Sequence, residues 1–338
     1  MDVRMIDVAR KAGVSKSTVS QYLNGHYEYM GLDTRERIKQ AIDQLGFVPN
    51  ALARGLRMKR SFTIAAIVAN ILNPFSTSVI RGAEDCCKKY GFDLILCNAD
   101  DNPEKEKEYI DNLLAKQVDG FIISTTEQNN AWIHAVNQKT PVVICGRNVP
   151  ETGCDTVRTD NYAVVKVAID HLVSLGHKHI AMYVQPNHEV NISPRRERAQ
   201  AFRAVMQEYS LPFCDDWLIE IESDEDLLTE SVLRLLGHAE HRPTAFIGAN
   251  DLMTIGLFRV LKKLRISIPG EAALLGFDDW EWATLLEPPI TVVAQPTYEM
   301  GYMAAELVVK RIREEAEEYH PHYMVYQPEL IPRQSCGE

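Results

Sequence analysis

From Ser61 onward the chain repeats one pattern, and that pattern limits the fold more than any other feature. Short apolar runs recur: TIAAIVA (63–69), FDLILCN (92–98), GFIIS (120–124), PVVICG (141–146), HIAMYV (179–184), AFIGAN (245–250) and ALLGF (273–277). Amphipathic stretches of helical length separate them. Near-continuous apolar runs of this size are strands buried on both faces, and strand–helix alternation means parallel sheets covered by helices. Seven such strands are too many for one small sheet, so the spacing predicts two α/β subdomains. With 338 residues, 46% hydrophobic and 25% charged, the chain can bury a full core.

The first sixty residues follow a different rhythm. MIDVARKA (5–12) is helical and Gly13 ends it; Ser15 is a cap for the next helix, with Val14 and Val19 placed as a hydrophobic staple. That helix runs to about Asn24, where Asn-Gly stops it. Ile38, Ala41, Ile42 and Leu45 mark a third helix, closed by Gly46. Two short helices joined by a tight glycine turn make a helix-turn-helix. Pro49 and Asn50 open a small fourth segment, and LRMKR (56–60) reads as a linker.

Charge divides at the same point. The net charge of −11 taken as a whole argues against nucleic acid, yet residues 1–60 hold eleven Lys/Arg against six Asp/Glu, leaving −16 for the rest. A basic head on an acidic body points to DNA at one end only. In a helix-turn-helix the second helix enters the major groove. Val19 and Leu23 fix its inner face, so Lys16, Ser17, Ser20 and Gln21 point outward. Ser15, Ser17 and Thr18 suit phosphate or base contacts, and Gln21 can pair bidentately with adenine.

The motifs DVARKAGVSKSTVSQYLNG and TRERIKQAIDQLGFVPNALARGL resemble the DNA-binding headpiece of the LacI/GalR family of bacterial transcription regulators. NPF (73–75), DG (119–120), TDN (159–161), LGHKHIA (175–181), ANDLMTIG (250–256), LLGFDD (274–279) and PPITVVAQPTYEMG (288–301) resemble that family's landmarks in the same order. The resemblance implies an all-α helix-turn-helix headpiece followed by a two-subdomain, periplasmic-binding-protein-like core of parallel sheets. It implies a headpiece at 1–48, a hinge helix and linker at 49–60, an N-subdomain of 61–160 and 294–322, and a C-subdomain of 161–293 and 323–338. Lys16, Ser17 and Gln21 match the base-reading positions. Ser15, Thr18, Ser20, Asn24, Asn50, Ala53 and Arg54 join the DNA-contacting set, and Leu56 matches a wedge for the minor groove. Leu52 and Leu56 share a face, and Gly55 weakens so short a helix, so the hinge is expected to fold on DNA. Three positions depart from the family's habit: Arg4 stands where Thr is usual, Gly31 where Ser is, and Gln21 where Arg is very frequent. The last bears on base preference.

The same resemblance implies a sugar, sugar derivative or purine bound between the subdomains, at the carboxyl ends of the strands. It assigns Asn73, Phe75 and Ser76 after the first strand, Arg198 in SPRRERAQAF, and Asn250 with Asp278 as a hydroxyl-binding pair. Trp280 and Trp282 follow directly and are expected to offer an indole face to a sugar ring. Arg147, Arg195, Arg196 and Arg198 suggest an effector with a carboxylate or phosphate, a sugar acid first, while Arg195 and Arg196 read equally as a solvated, salt-bridged helix start. The expected partners are pseudo-palindromic operator duplex DNA, a sugar or sugar-acid effector and a second copy of the chain.

Catalytic signals are missing: there is no GxSxG, HExxH, P-loop or GxGxxG, so no enzyme, cofactor or metal is expected. His177 and His179 read as structural, HAEH (238–241) as a surface turn, and Asp100-Asp101 and Asp215-Asp216 as loop and cap residues. Seven irregularly spaced cysteines without CxxC suggest reduced thiols. The lack of an apolar leader gives a cytoplasmic, nucleoid-bound expectation, and PELIPRQSCGE carries no leucine heptad, so a dimer is expected. The rival readings are a periplasmic-type sugar-binding protein without DNA function and an α/β sugar enzyme.

Overall fold

The structure, a computed structural model, describes residues 3–23, 25–47, 60–187, 192–237, 242–314 and 319–337. It divides into two compact units, 1–61 and 62–338.

The first unit holds α1 (Met5–Ala12), α2 (Lys16–Leu23) and α3 (Leu32–Leu45). Gly13 turns α1 into α2 at φ 66°, a left-handed conformation that glycine adopts without penalty. Arg4 supplies no side-chain cap to α1; instead the Asp7 carboxylate accepts the Arg4 backbone N–H at 3.0 Å. Gly31 likewise caps α3 with backbone alone. Val8, Ala9, Ala12, Val19, Met30, Ile38, Ala41 and Phe47 form the core, with Val14, Leu23, Ile42 and Leu45 packed around it. Two of this unit's arginines serve the fold. Arg37 donates to the Ala12 carbonyl at 3.2 Å, and Arg35 donates to those of Tyr27 and Met30 at 2.8 and 3.0 Å.

The second unit runs β1 (Thr63–Val68), α4 (Pro74–Tyr90), β2 (Asp93–Asn98), α5 (Pro103–Ala115), β3 (Gly120–Ile123), α6 (Asn130–Asn137), β4 (Val142–Cys145), β5 (Asp155–Thr159), α7 (Asn161–Ser174), β6 (Ile180–Val184) and α8 (Ser193–Glu208). It continues with β7 (Leu218–Glu220), α9 (Glu225–Leu236), β8 (Ala245–Gly248), α10 (Asp251–Lys263), β9 (Ala273–Phe277), α11 (Glu281–Leu285), β10 (Thr291–Ala294), α12 (Thr297–Arg313), β11 (Tyr323–Tyr326) and β12 (Glu329–Ile331). Two six-stranded sheets result, ordered β11-β5-β4-β3-β1-β2 and β12-β10-β9-β8-β6-β7. All neighbours are parallel except the antiparallel pair β10 and β12. Alternate residues of one strand feed opposite faces: Ile64 joins one core cluster, Ala65 and Ile67 another. The α/β architecture with two subdomains is therefore the one the alternation predicts.

The chain passes between the sheets after β5, after β10 and after β11. The last passage corrects one expected boundary. Tyr323–Tyr326, assigned to the second subdomain, pairs in register with Thr156–Thr159 in the first. The return to the second sheet comes only at Glu329, opposite Ala294. α12 crosses α4 at backbone contact, since a Cβ on Gly301 would lie 1.8 Å from the Val79 carbonyl oxygen and one on Gly82 would lie 2.0 Å from that of Tyr298.

The seven cysteines are free, and burial pushes the Cys86 and Cys87 thiols up to about 11 and about 12. Among the described residues no helix is long and apolar enough to cross a membrane. No group of His, Cys, Asp or Glu among them could hold a metal ion.

Candidate functional site

Two places collect the chemistry. On α2, Val19 is fully buried while Lys16, Ser17 and Gln21 are exposed and Ser20 and Thr18 are half-buried. The Ser15 hydroxyl accepts the Thr18 backbone N–H at 3.1 Å, which is the N-cap bond expected of it. Ser15 Oγ also lies 2.6 Å from Ser17 Oγ and 2.8 Å from Thr18 Oγ1. A knot of hydroxyls thus tops the positive end of the helix, whose first residue is the exposed Lys16. Such an end attracts phosphate. Asn24, Asn50, Ala53, Arg54 and Leu56 lie outside the described residues, as do Leu52 and Gly55.

The second place is a cleft of about 120 Å³ between the two sheets of the second unit. The carboxyl ends of parallel strands build it, because loops leaving these ends meet there from both sheets. Asn73, Phe75, Ser76 and Arg147 line it from the first subdomain, and Arg198, Asn250 and Asp278 from the second. Asn73 and Asn250 do double duty: their side-chain oxygens cap α4 and α10, accepting the N–H groups of Phe75 and Met253 at 2.8 Å each. Gly146, at φ 74°, leaves room for the Phe75 ring, which a Cβ there would meet at 3.1 Å.

Neither tryptophan lines this cleft, contrary to the sequence-based expectation. Trp282 packs on the core of the second subdomain. Trp280 is half-buried just ahead of α11. Asp101, Arg158, Asn161, Gln185 and Gln295 also line the cleft, where no sequence-based expectation places them, and so does Arg195 of the arginine cluster, while Arg196 does not.

The electrostatics are lopsided toward positive. Arg195 lies 3.2 Å from Asp101, which Arg147 also approaches at 4.0 Å, so one carboxylate serves two guanidiniums. Arg158 pairs with Glu197 at 3.1 Å. Arg198 differs from all of these. It is buried, donates to the Asn161 side-chain oxygen at 2.9 Å and the Ala249 carbonyl at 2.5 Å, and lies over the Phe277 ring at 5.2 Å. Among the described residues no carboxylate comes within ion-pair distance of it. Burial pushes its pKa below the usual arginine range, with Asp278 pulling the other way. Burial in turn pushes the Asp278 carboxyl upward, opposed by Arg198 and by the Gln295 amide, which donates to it at 2.7 Å. A buried cation with only neutral hydrogen-bond partners is costly unless something anionic joins it.

The remaining candidates are structural. His177 bonds Thr244 Oγ1 and the Cys336 carbonyl at 3.0 and 3.3 Å, His179 packs on Trp217, and Asp100 pairs with Lys105. The segment 238–241 lies outside the described residues.

Both units of the chain are similar to known proteins. Residues 4–50 match the family described as bacterial regulatory proteins, lacI family, and residues 169–336 match a periplasmic binding protein-like domain. The chain is 35% identical to a probable HTH-type transcriptional regulator, EndR, of Paenibacillus polymyxa over 94% of its own length and 93% of the relative's. It is 35% identical to the HTH-type transcriptional regulator KdgR of Bacillus subtilis (strain 168), covering 97% of this chain and 96% of that one. Among solved structures, the transcriptional regulator CelR–cellobiose complex is 28% identical with a TM-score of 0.71, covering 98% of this chain and 99% of that one.

Proposed function

Because the chain belongs to the lacI family of bacterial regulatory proteins, we propose that it is a sequence-specific repressor of carbohydrate-metabolism genes whose grip on its operator is set by a small sugar acid in the cleft. The observation that carries the effector's charge is Arg198: a buried guanidinium lining the cleft, whose hydrogen-bond partners are both neutral and which has no carboxylate within ion-pair distance among the described residues. A carboxylate would complete it with charge-assisted bonds. Asn250, Asp278 and Gln295 offer donors and acceptors for hydroxyls beside it. A sugar as the effector class fits the cellobiose held by CelR, a similar protein.

The DNA side follows from α2. Lys16, Ser17 and Gln21 read bases, and the hydroxyls of Ser15 and Thr18 meet the backbone. A homodimer places two reading helices on two half-sites of a pseudo-palindromic operator, with the protein in the cytoplasm and on the nucleoid when bound. An effector touching both subdomains favours one closure of the cleft. Linkage then makes the operator and the effector alter each other's affinity. The rival readings, a sugar-binding protein without DNA function and a sugar enzyme, leave the exposed polar face of α2 without a task.

A gel shift on the chain's own upstream region, with and without ligands, tests the proposal. Thermal shifts with neutral sugars, sugar acids and sugar phosphates select the ligands. Specific retardation that a sugar acid changes supports it. No specific binding even at low salt, where phosphate contacts are strongest, overturns the DNA reading. Response to neutral sugars alone overturns the acid.

A further inference from the structure

α8 begins without a cap of its own. Its N-cap residue is Ile192, which has no polar side chain, and Pro194 follows immediately. The Ser193 backbone N–H at this end is buried, and it is not left without an acceptor. Glu127, in the loop between β3 and α6 of the other subdomain, accepts it through Oε1 at 2.5 Å. The Glu127 side chain is only 8% exposed, and its second oxygen lies 4.0 Å from Arg196 of the same helix. Asn148 adds to the junction from the first subdomain, its backbone N–H donating to Ser193 Oγ at 2.8 Å and its amide to Glu197 at 2.6 Å.

Glu127 is itself held in an unusual conformation, with φ 65°. The device that holds it is Glu106 on α5, which is fully buried. The Glu106 carboxylate accepts the Thr126 backbone N–H at 2.7 Å, the Asn129 amide at 2.9 Å and both the Thr125 and Thr126 hydroxyls at 3.2 Å. Thr125 Oγ1 then accepts the Glu127 N–H at 3.0 Å, and the Thr125 carbonyl accepts Arg147 Nε at 3.1 Å. One buried carboxylate thus sets the path of a loop that supplies both a cleft arginine's support and the cap of a helix in the opposite subdomain.

We propose that Glu127 is a cap in trans that fastens α8 to the first subdomain across the cleft, and that Glu106 is the positioning residue that aims it. Capping carboxylates at helix N-termini are favoured both by the orphan N–H groups and by the helix dipole. This one differs in joining two subdomains, so its strength enters the equilibrium between closed and opened clefts. α8 carries Arg195 and Arg198, so the same bond fixes how those guanidiniums face the first subdomain. The proposal stands independently of which effector binds.

Hydrogen exchange on the full-length protein tests it. Glu127→Ala should speed exchange at the amides of Ser193 and residues 195–197 by about tenfold or more, while α9 amides remain unchanged. Glu127→Gln keeps the acceptor but not the charge and should fall between. The decisive variant is Glu106→Gln, whose hydrogen-bond partners Thr125, Thr126 and Asn129 all lie in the first subdomain and none on α8. It should loosen 124–129 and the start of α8 together. If Glu127→Ala leaves residues 193–197 within about twofold of the wild type, the cap in trans is refuted. If Glu106→Gln loosens only its own loop, the positioning role is refuted.

Discussion

Arg198→Lys separates charge from geometry in the cleft. Two of the arginine's donors are spent within the protein, on Asn161 and Ala249. The rest of the fork is available to a ligand. Lysine keeps the positive charge but brings three donors on a flexible stem, too few for Asn161, Ala249 and a carboxylate held through both oxygens. Charge-assisted hydrogen bonds contribute about 1.5–3 kcal/mol each. Losing two and remaking one in part gives a net loss of about 2–3 kcal/mol for an acid, or roughly 30- to 150-fold in Kd. A neutral sugar hydroxyl accepts one bond, which the lysine ammonium can largely remake, so it loses only about 1 kcal/mol, roughly fivefold. Isothermal titration with an aldonic acid and its parent aldose, on wild type and variant, reads both numbers. Discrimination between the two should shrink about tenfold, and it should do so equally at low and moderate salt, since a buried group is little screened. Equal losses for acid and aldose would refute the assignment of Arg198 to an anionic group.

Three further outcomes follow from other parts of the molecule. Burial, with Asp278 nearby, raises the Asp251 carboxyl from 3.8 to about 6; the folded state therefore holds a proton the unfolded chain has released, and stability falls as pH rises from about 4 to 6, by up to roughly 3 kcal/mol. Asp251→Asn should thus melt higher than wild type above pH 6 and converge with it below pH 4; a constant difference across that range contradicts the argument. Gln21→Arg should change base preference at one symmetric pair of operator positions in a library selection, and an unchanged preferred site would remove Gln21 from the reading set. Gly301→Ala drives a methyl to 1.8 Å from the Val79 carbonyl oxygen and forces α4 and α12 apart, costing about 1–3 kcal/mol, visible as a lower urea midpoint; an unaltered midpoint would mean the crossing is looser than its geometry.

What the sequence revealed and concealed divides on physical lines. Strands such as β1, β3 and β4 are apolar along their length because both faces are buried, so their own residues announce them. β5 does not: its DTVRT carries a fully buried Asp155, whose Oδ1 accepts the His322 backbone N–H at 2.7 Å. That partner lies far along the chain, so nothing local marks the segment as interior. β11 and β12 are edge strands with exposed positions, and their short polar alternation gave no hint that one belongs to each sheet. Landmark residues at strand ends were legible because parallel topology brings all such ends to one cleft. The tryptophans were misassigned because nearness to Asp278 in sequence was taken for nearness in space; α11 starts between them and turns Trp282 onto the core.

The arginines of SPRRERAQAF show the same limit more sharply. The sequence gives three cations within four residues, and counting them suggests one anion site. On a helix, though, successive residues are about 100° apart, so neighbours face different ways. Arg195 turns to Asp101, Arg196 toward Glu127, and Arg198 into the interior with no carboxylate partner. The first two are largely answered by the first subdomain's own acids, so they hold the subdomains together more than they attract a ligand. Only the third lacks an ion-pair partner among the described residues, its charge being opposed from beyond 4 Å, chiefly by Asp278. Selection for an acidic effector should therefore rest on Arg198 far more than on Arg195 or Arg196, whose removal should loosen closure for acid and neutral ligands alike.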